Sequence, residues 1–343
     1  MWEVLLTVCM AADPGACRME RLPGGGDRAA CVAAADAAVA ALPRAEQAQE
    51  WPCVPVGETP GFTVTEIAPG VFVHRGRHEE PEAANGGDVS NAGFVIGGEA
   101  VAVIDAGGAP GVARSLLAEI RARTDLPVRW LILTHMHPDH VLGAGVFVDA
   151  GARVTGAERL GPALAARAQT YMAAMSRLLG PAFEDARIVS PDEGVATTRE
   201  IDLGGRTLVL RAHPVAHTDN DLSVRDIETG TLFLGDLLFM GHVPALDGSL
   251  LGWRRELAAL VEAPAKRVVP GHGPAAAAWP DAAGPITGYL DTLIADTRAA
   301  IAAGEPMLGA TERIGQGARD GWLLFDAFNT RNATAAYQQL EWE

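Results

Sequence analysis

The chain has 343 residues, room for one large domain with an appendage or for two ordinary domains of about 150 residues each. Hydrophobic residues make up 48% and charged residues 20%, which supplies a packed core and excludes disordered, collagen-like and low-complexity classes. A net charge of -16 argues against nucleic acid as a partner, and no apolar run approaches the roughly 18 residues needed to span a bilayer.

Taken in chain order, Trp2 to Cys9 reads as a strand, Gly24 to Gly26 as a turn, and the Ala-rich stretch from Cys31 to Leu42 as a helix. Residues 54–61, with Pro55, Gly57 and Pro60, read as a linker. Two hairpin patterns follow: Phe62 to Ile67 turning at Pro69-Gly70 into Val71 to His74, and Ala92 to Ile96 turning at Gly97-Gly98 into Ala100 to Ile104. The pattern then alternates. Helices are expected at Pro110 to Arg123, Ala157 to Leu179, Leu250 to Val261 and Pro285 to Ala303. Strands are expected at Val128 to Leu133, Thr207 to Leu210, Leu222 to Val224, Thr231 to Leu234 and Arg267 to Val269. Hairpins followed by strand-helix alternation suggest an α+β or α/β architecture. The domains expected are a module over 1–53, the linker, a main domain over 62–279, and a helical extension over 280–343 that packs on it.

All four cysteines, Cys9, Cys17, Cys31 and Cys53, fall in the first module, separated by 7, 13 and 21 residues. That is not the spacing of a zinc knuckle. Disulfides stapling a module with little core of its own are favoured over free thiols, and they imply a periplasmic or exported protein. Export calls for a leader, but no basic residue precedes the apolar stretch Val4 to Met10. Either a leader has been removed or the protein is cytoplasmic.

The chemistry-bearing residues lie elsewhere. His135, His137, Asp139 and His140 crowd six positions directly after a buried strand, and the whole chain has only nine histidines. Imidazole and carboxylate are what zinc takes when thiolate is absent. His217, Asp236 and His272 each follow a further apolar strand, the position where open sheets carry their sites. No Gly-x-Ser-x-Gly elbow is present, and no cysteine lies beyond Cys53.

The His-x-His-x-Asp-His run, the later His217-Thr218, Gly235-Asp236 after an apolar strand, and Pro270-Gly271-His272-Gly273 resemble the metallo-β-lactamase superfamily of metallohydrolases. Ile104-Asp105-Ala106-Gly107 resembles that family's Asp-x-Gly, whose Asp braces the metal loop. The resemblance implies a four-layer αββα sandwich with a site at the open edge between two sheets. It implies a first metal on His135, His137 and His217, a second on Asp139, His140 and His272, and Asp236 bridging them. Two Zn2+ ions are expected, with manganese or iron as alternatives. A water bridging two metals is hydroxide near neutral pH and attacks a carbonyl, with Asp139 orienting it and relaying its proton. Asp236, in place of a cysteine, is similar to the binuclear, glyoxalase II-like pattern and argues against β-lactam hydrolysis.

Asp236 to Ser249, followed by Gly252-Trp253, with the Cys-containing first module, also resembles the quinoprotein relay system zinc metallohydrolases. That implies association with a periplasmic quinoprotein dehydrogenase and its cytochrome. His242 and Asp247 would then shape the pocket, and His78, on a loop that overhangs the site in this superfamily, would touch substrate. His213 is expected on a strand, in the core or behind the ligands, with Asn220 and Asp221 fixing the turn after His217. The partner expected is a small carbonyl substrate. A mononuclear iron sulfur dioxygenase and a non-catalytic metal-binding partner protein are the alternatives. Among the three disulfide pairings, Cys9–Cys53 with Cys17–Cys31 is preferred.

Overall fold

The computed structural model describes residues 2–51, 53–55 and 62–343. Most of the linker expected at 54–61 lies outside the described residues. The chain divides into two compact units, Met1–Gly61 and Phe62–Glu343.

In the first unit β1 (Trp2–Met10) pairs antiparallel with β2 (Asp13–Gly25), with β3 (Glu46–Glu50), and with β4 (Cys53–Pro55). Alternate residues Val4, Leu6 and Val8 of β1 turn to one face and pack with Cys31 and Ala35 of helix α1 (Arg28–Ala40). Asp27 caps that helix by accepting the Ala30 N–H at 2.8 Å. A disulfide joins Cys31 to Cys53, which corrects the expected pairings Cys9–Cys53 and Cys17–Cys31. The strand register explains the error. Cys53 lies opposite Val4, five residues and roughly 16 Å along β1 from Cys9, while Cys9 lies opposite Cys17.

The second unit is built on two sheets. The first has seven strands in the order β11-β10-β9-β8-β7-β6-β5. They are β5 (Val64–Ala68), β6 (Val71–His74), β7 (Ala92–Ile96), β8 (Val101–Ile104), β9 (Val128–Ile132), β10 (Arg153–Ala157) and β11 (Glu193–Val195). The second runs β12-β13-β14-β15-β16-β17. Its strands are β12 (Thr198–Asp202), β13 (Thr207–Ala212), β14 (Leu222–Asp226), β15 (Thr231–Phe239), β16 (Arg267–His272) and β17 (Ala277–Ala278).

The two-residue period of the strands sorts side chains into layers. Ala102 and Ile104 of β8 meet Phe233 of β15 and Val269 of β16 in the core between the sheets. Val101 and Val103 point outward, into a core shared with α2 (Pro110–Arg121) and α5 (Leu160–Leu179). On the far side, Leu232 and Leu234 of β15 pack with α6 (Leu250–Leu260), α7 (Gly284–Ala302) and α9 (Phe325–Leu340). Three apolar interiors between four layers give an αββα sandwich. The C-terminal helices are one whole outer layer's share of it, since Tyr289, Leu293 and Tyr337 lie in the same interior as Trp253.

Several strands are longer or more numerous than periodicity suggests. β2, β3, β11 and β12 are rich in charged residues or glycine, and β10 (Arg153–Ala157) takes the residue assigned to the start of a helix. Hydrogen bonding to neighbours, and not apolar alternation, makes these segments strands. Replacing Leu116 of α2, fully buried in the helix-facing core, with Ala is expected to cost about 2–5 kcal/mol. Chemical denaturation measures it, and metal content is expected to stay unchanged.

Candidate metal centre

Seven side chains meet where strands of both sheets end. Asp105 follows β8, Thr134 to His140 follow β9, His217 precedes β14, Asp236 sits within β15, and His272 ends β16. All seven residues expected as ligands are brought together in two groups: His135, His137, His217 and Asp236, and Asp139, His140 and His272. His137 and Asp139 are half-buried and the other five are buried.

Asp236 faces both groups at once. Its Oδ2 lies 3.5 Å from His135 Nε2 and 3.4 Å from His217 Nε2. Its Oδ1 lies 3.1 Å from His140 Nε2 and 3.5 Å from His272 Nε2. Two glycines make room for it. Gly235, at φ +50°, lets β15 bulge beside Thr134, whose Oγ1 would lie 2.6 Å from an added Cβ. At Gly271 an added Cβ would collide with Asp236 Oδ1 and the backbone of residues 235 and 236.

Supporting hydrogen bonds select which nitrogen four of the five cluster imidazoles present, His217 Nδ1 being buried without a partner among the described residues. Asp105 accepts from the Thr134 N–H at 2.8 Å, the Thr134 hydroxyl at 2.8 Å and His140 Nδ1 at 2.9 Å. It does so from a left-handed backbone, φ 60°, a strained conformation that aspartate tolerates better than most residues. Since the Thr134 hydroxyl is spent on Asp105, its oxygen accepts from His135 Nδ1 at 3.0 Å. His272 Nδ1 donates to the Val89 carbonyl at 2.9 Å. Asp247 Oδ2 takes His137 Nε2 at 3.1 Å. The unprotonated nitrogens of His135 and His137 therefore face each other at 3.0 Å, and His217 Nε2 lies 3.0 Å from the same His137 Nδ1.

The His135 and His137 lone pairs cannot satisfy one another, and His140 Nε2, His217 Nδ1 and Asp236 Oδ1 are buried without a hydrogen-bond partner among the described residues. A cation resolves both conditions, so the donor set fits divalent metal. Charge makes the same case. Burial drives His135 down to about 4 and His217 well below the usual imidazole range, so both are neutral and ready to ligate. Burial opposes protonation of His140 and His272 as well, but Asp236 and its neighbouring carboxylates override it. His140 rises well above the usual range and His272 to about 9. Asp139 and Asp236 stay ionised despite burial because those imidazoles hold them low. The carboxylates demand positive charge, and without metal, protons on His140 and His272 supply it.

The remaining candidates surround this centre. His242 stacks on His272 at 4.9 Å between ring centroids, with burial holding it at about 4, and His78 approaches His242 edge-on at 6.3 Å. His213 does not reach the cluster; it bonds Glu256 at 2.8 Å and Ser223 at 2.7 Å. Asp221 fixes the turn after His217 by accepting from the Thr218 N–H and hydroxyl. His74 bonds Asp88 at 2.6 Å and the Thr63 carbonyl at 2.8 Å, anchoring the loop that carries His78.

Sequence reasoning missed Thr134, the hinge of the Asp105 network, and Asn91. Asn91 Nδ2 donates to the Pro270 carbonyl at 2.8 Å and its N–H to the Gly271 carbonyl, fastening the His272 loop to β7. Thr134 adjoins the histidine run and was open to suspicion. Asn91 carries no local signal.

A profile of the metallo-beta-lactamase superfamily matches residues 85–272, more than half the chain and all seven clustered residues. The chain belongs to that superfamily. Its fold is similar to a metallo-beta-lactamase from Pontibacter korlensis, at 22% identity and a TM-score of 0.55 over 67% of this chain and 99% of the other. It is also similar to a stereoselective inverting sec-alkylsulfatase from Pseudomonas sp., at 15% identity and a TM-score of 0.64 over 81% of this chain and 50% of the other. In sequence it matches a linear primary-alkylsulfatase from Pseudomonas sp. (strain ATCC 19151), 37% identical over 51 residues. That match covers 15% of this chain and 10% of the relative's length. Hydrolases of this superfamily are metal-dependent enzymes, and this metallohydrolase fold carries a matching His/Asp cluster.

Two outcomes are expected. Asp105→Ala leaves His140 and Thr134 without their acceptor and lowers metal affinity about 10–100-fold, read by competition with a chromophoric chelator. In chelator-stripped protein, His135, His217 and His242 stay neutral in the fold but protonate when unfolded below about 6.5. The thermal midpoint therefore falls as pH drops from 6.5 towards 4. Asp221, raised to about 7 by burial, pulls the other way, one group against five, since burial lowers His213 and His78 as well. Above 6.5, stability from protonated His272 and His140 is lost as pH rises through about 9. A dome centred near pH 6.5 is the expected profile.

Proposed function

We propose that this protein is a binuclear zinc hydrolase that cleaves a small ester, thioester or amide. The observation that carries the reading is Asp236, whose two oxygens face separate donor groups 3.1–3.5 Å away. Each oxygen thus has its own set of imidazoles with which to share a cation. In this reading His135, His137 and His217 hold one ion, Asp139, His140 and His272 hold the other, and Asp236 bridges. All donors are nitrogen or oxygen, a set zinc accepts readily and manganese or iron also tolerate.

When bound, such a pair supplies Lewis acidity and a water that is deprotonated near neutral pH. The chain's own groups then do the rest. Asp139, its carboxylate 3.2 Å from His272 Nε2 and partly open to the cleft, orients that water and carries its proton onward. Asp105, through His140 and Thr134, keeps the ligands from rotating. Phe239 and Trp253, against the His217 ring at 5.6 and 4.9 Å, keep bulk water from the buried side.

The reading extends to an oxidising compartment and to functional association with a quinoprotein dehydrogenase and its cytochrome. The Cys31–Cys53 disulfide supports the compartment. No helix among the described residues is long and apolar enough to cross a membrane.

Metal analysis of protein purified without chelator is expected to find about two zinc ions per chain; one iron per chain would favour a dioxygenase. The loaded protein is expected to turn over members of a panel of acyl esters, thioesters and lactones. Asp139→Asn, folded and metal-replete, is expected to lower kcat at least about 100-fold. Full activity in that variant would remove Asp139 from the chemistry.

A further inference from the structure

We propose that Arg167 and Arg331 form a subsite for a carboxylate at the edge of the metal centre, so that the substrate is an acyl compound bearing a second, anionic carboxyl group. The inference rests on the hydrolase reading for the bond cleaved. The anion subsite itself stands on the arginines.

The two side chains come from opposite outer layers of the sandwich. Arg167 lies on α5, over the seven-stranded sheet, and Arg331 on α9, over the six-stranded one. Arg167 reaches the edge at Asp247, and the charge of Arg331 adds to what holds that carboxylate ionised. Arg167 Nη2 is 3.6 Å from Asp247 Oδ2, the same oxygen that lies 3.1 Å from His137 Nε2. One carboxylate oxygen thus separates the guanidinium from an imidazole of the metal cluster. On α9, Asn332 donates to the Pro244 carbonyl at 2.6 Å and accepts from the Leu246 N–H at 2.9 Å, which fastens the helix to the segment just before Asp247. Phe328, three residues before Arg331 and on the same face, meets the His242 ring at 5.1 Å.

The pairing of these two arginines is incomplete. Arg187, Arg254 and Arg319 each hold a carboxylate oxygen at 2.6 Å. Arg167 has only the 3.6 Å contact, with its side chain 38% exposed, and Arg331 has no ion pair or hydrogen bond among the described residues. Two guanidinium groups share one carboxylate, and that carboxylate is already engaged by His137. One positive charge is left over, and an exposed pair this long gives way readily to a ligand. Asp247 is held ionised first by His137, with Arg167 and Arg331 adding to it against burial. Tyr171, one turn along α5 from Arg167, is kept protonated by burial and offers a hydroxyl with no partner among the described residues. A guanidinium fork beside a phenol hydroxyl matches the geometry of a carboxylate. The acidic groups facing this edge are Asp139, which belongs to the metal cluster, and Asp219, paired with Arg159 at 3.5 Å.

The test compares p-nitrophenyl hydrogen succinate with p-nitrophenyl pentanoate on zinc-loaded protein, and measures succinate binding by calorimetry. Wild type is expected to favour the succinate ester at least tenfold in kcat/KM. That preference is expected to fall to within threefold in Arg167→Ala and Arg331→Ala, with Arg167→Lys intermediate. Arg177→Ala, exposed at the far end of the same helix, is the control and keeps the wild-type ratio. Succinate affinity is expected to drop at least fivefold in the two alanine variants at an unchanged thermal midpoint. Equal use of both esters by wild type, or a preference that survives both alanine variants, overturns the subsite and leaves the hydrolase reading standing. No turnover of either ester, with succinate binding still lost in the variants, supports the subsite and counts against the hydrolase reading.

Discussion

Buried negative charge is the constraint from which the second unit follows. Asp105 and Asp236 are almost wholly inaccessible, and Asp139 is only partly open. Burying an ionised carboxylate costs several kcal/mol unless it is compensated, and these three lie within reach of the same imidazoles. Asp105 is compensated by three hydrogen bonds, one of them from the His140 imidazole. Asp236 is not, because one of its oxygens finds no donor. The structure accepts that deficit at the one point where both groups of nitrogen ligands converge. It also spends backbone freedom there: a left-handed aspartate, a glycine bulge inside β15, and a second glycine whose missing Cβ leaves space for the carboxylate. Such concentration of strain and unmet polarity belongs to a site, not to a core.

The sandwich exists to hold those strand ends at fixed separations. Side chains alternating along β8, β9, β15 and β16 fill three apolar interiors, so neither sheet can slide by one residue without turning a whole apolar row outward. The ligand loops inherit that register. His140 is joined to β8 through Asp105, His272 to β7 through Asn91, and His137 to the segment after β15 through Asp247. Each ligand loop is therefore referenced to an element other than the one that carries it, which is how a constellation from five segments keeps sub-ångström tolerances.

What could be read from the sequence follows the same physics. The His135 to His140 run, Asp236 and His272 were legible because each chemistry-bearing residue comes just after an apolar run of a strand, and local order in the chain is local order in space. His213 against His217 was separable because His217-Thr218 fits the superfamily resemblance and His213-Pro214 does not. The disulfide pairing was not legible, since it depends on which end of β1 the short strand β4 chooses, and three residues of β4 carry no signal for that choice. Charged strands such as β12 were missed because their membership is decided by a neighbour's hydrogen bonds. Arg167 and Arg331 were invisible for a related reason: a helix face shows its spacing, but not the partner it is turned towards.

In the proposed reading, the residues that select substrate are spread more widely than those that hold metal. The ligands all lie within 85–272, the stretch that matches the superfamily, whereas the edge of the cleft draws on the C-terminal helices as well. Leu323 pairs with His242 through backbone hydrogen bonds of 2.7 Å to Gly241 and 3.0 Å from Val243, and Phe328 covers the same ring. Leu324, which leads into α9, adopts a left-handed backbone, φ 57°, that a branched side chain rarely takes. That strain is maintained by the docking of this segment on the His242 loop and by Asn332 on the loop before Asp247. The C-terminal helices thus act as part of the pocket's frame. In the proposed reading, a change in their packing alters which substrates fit while leaving the His/Asp cluster intact, and chemistry and selectivity are set by different layers of one sandwich.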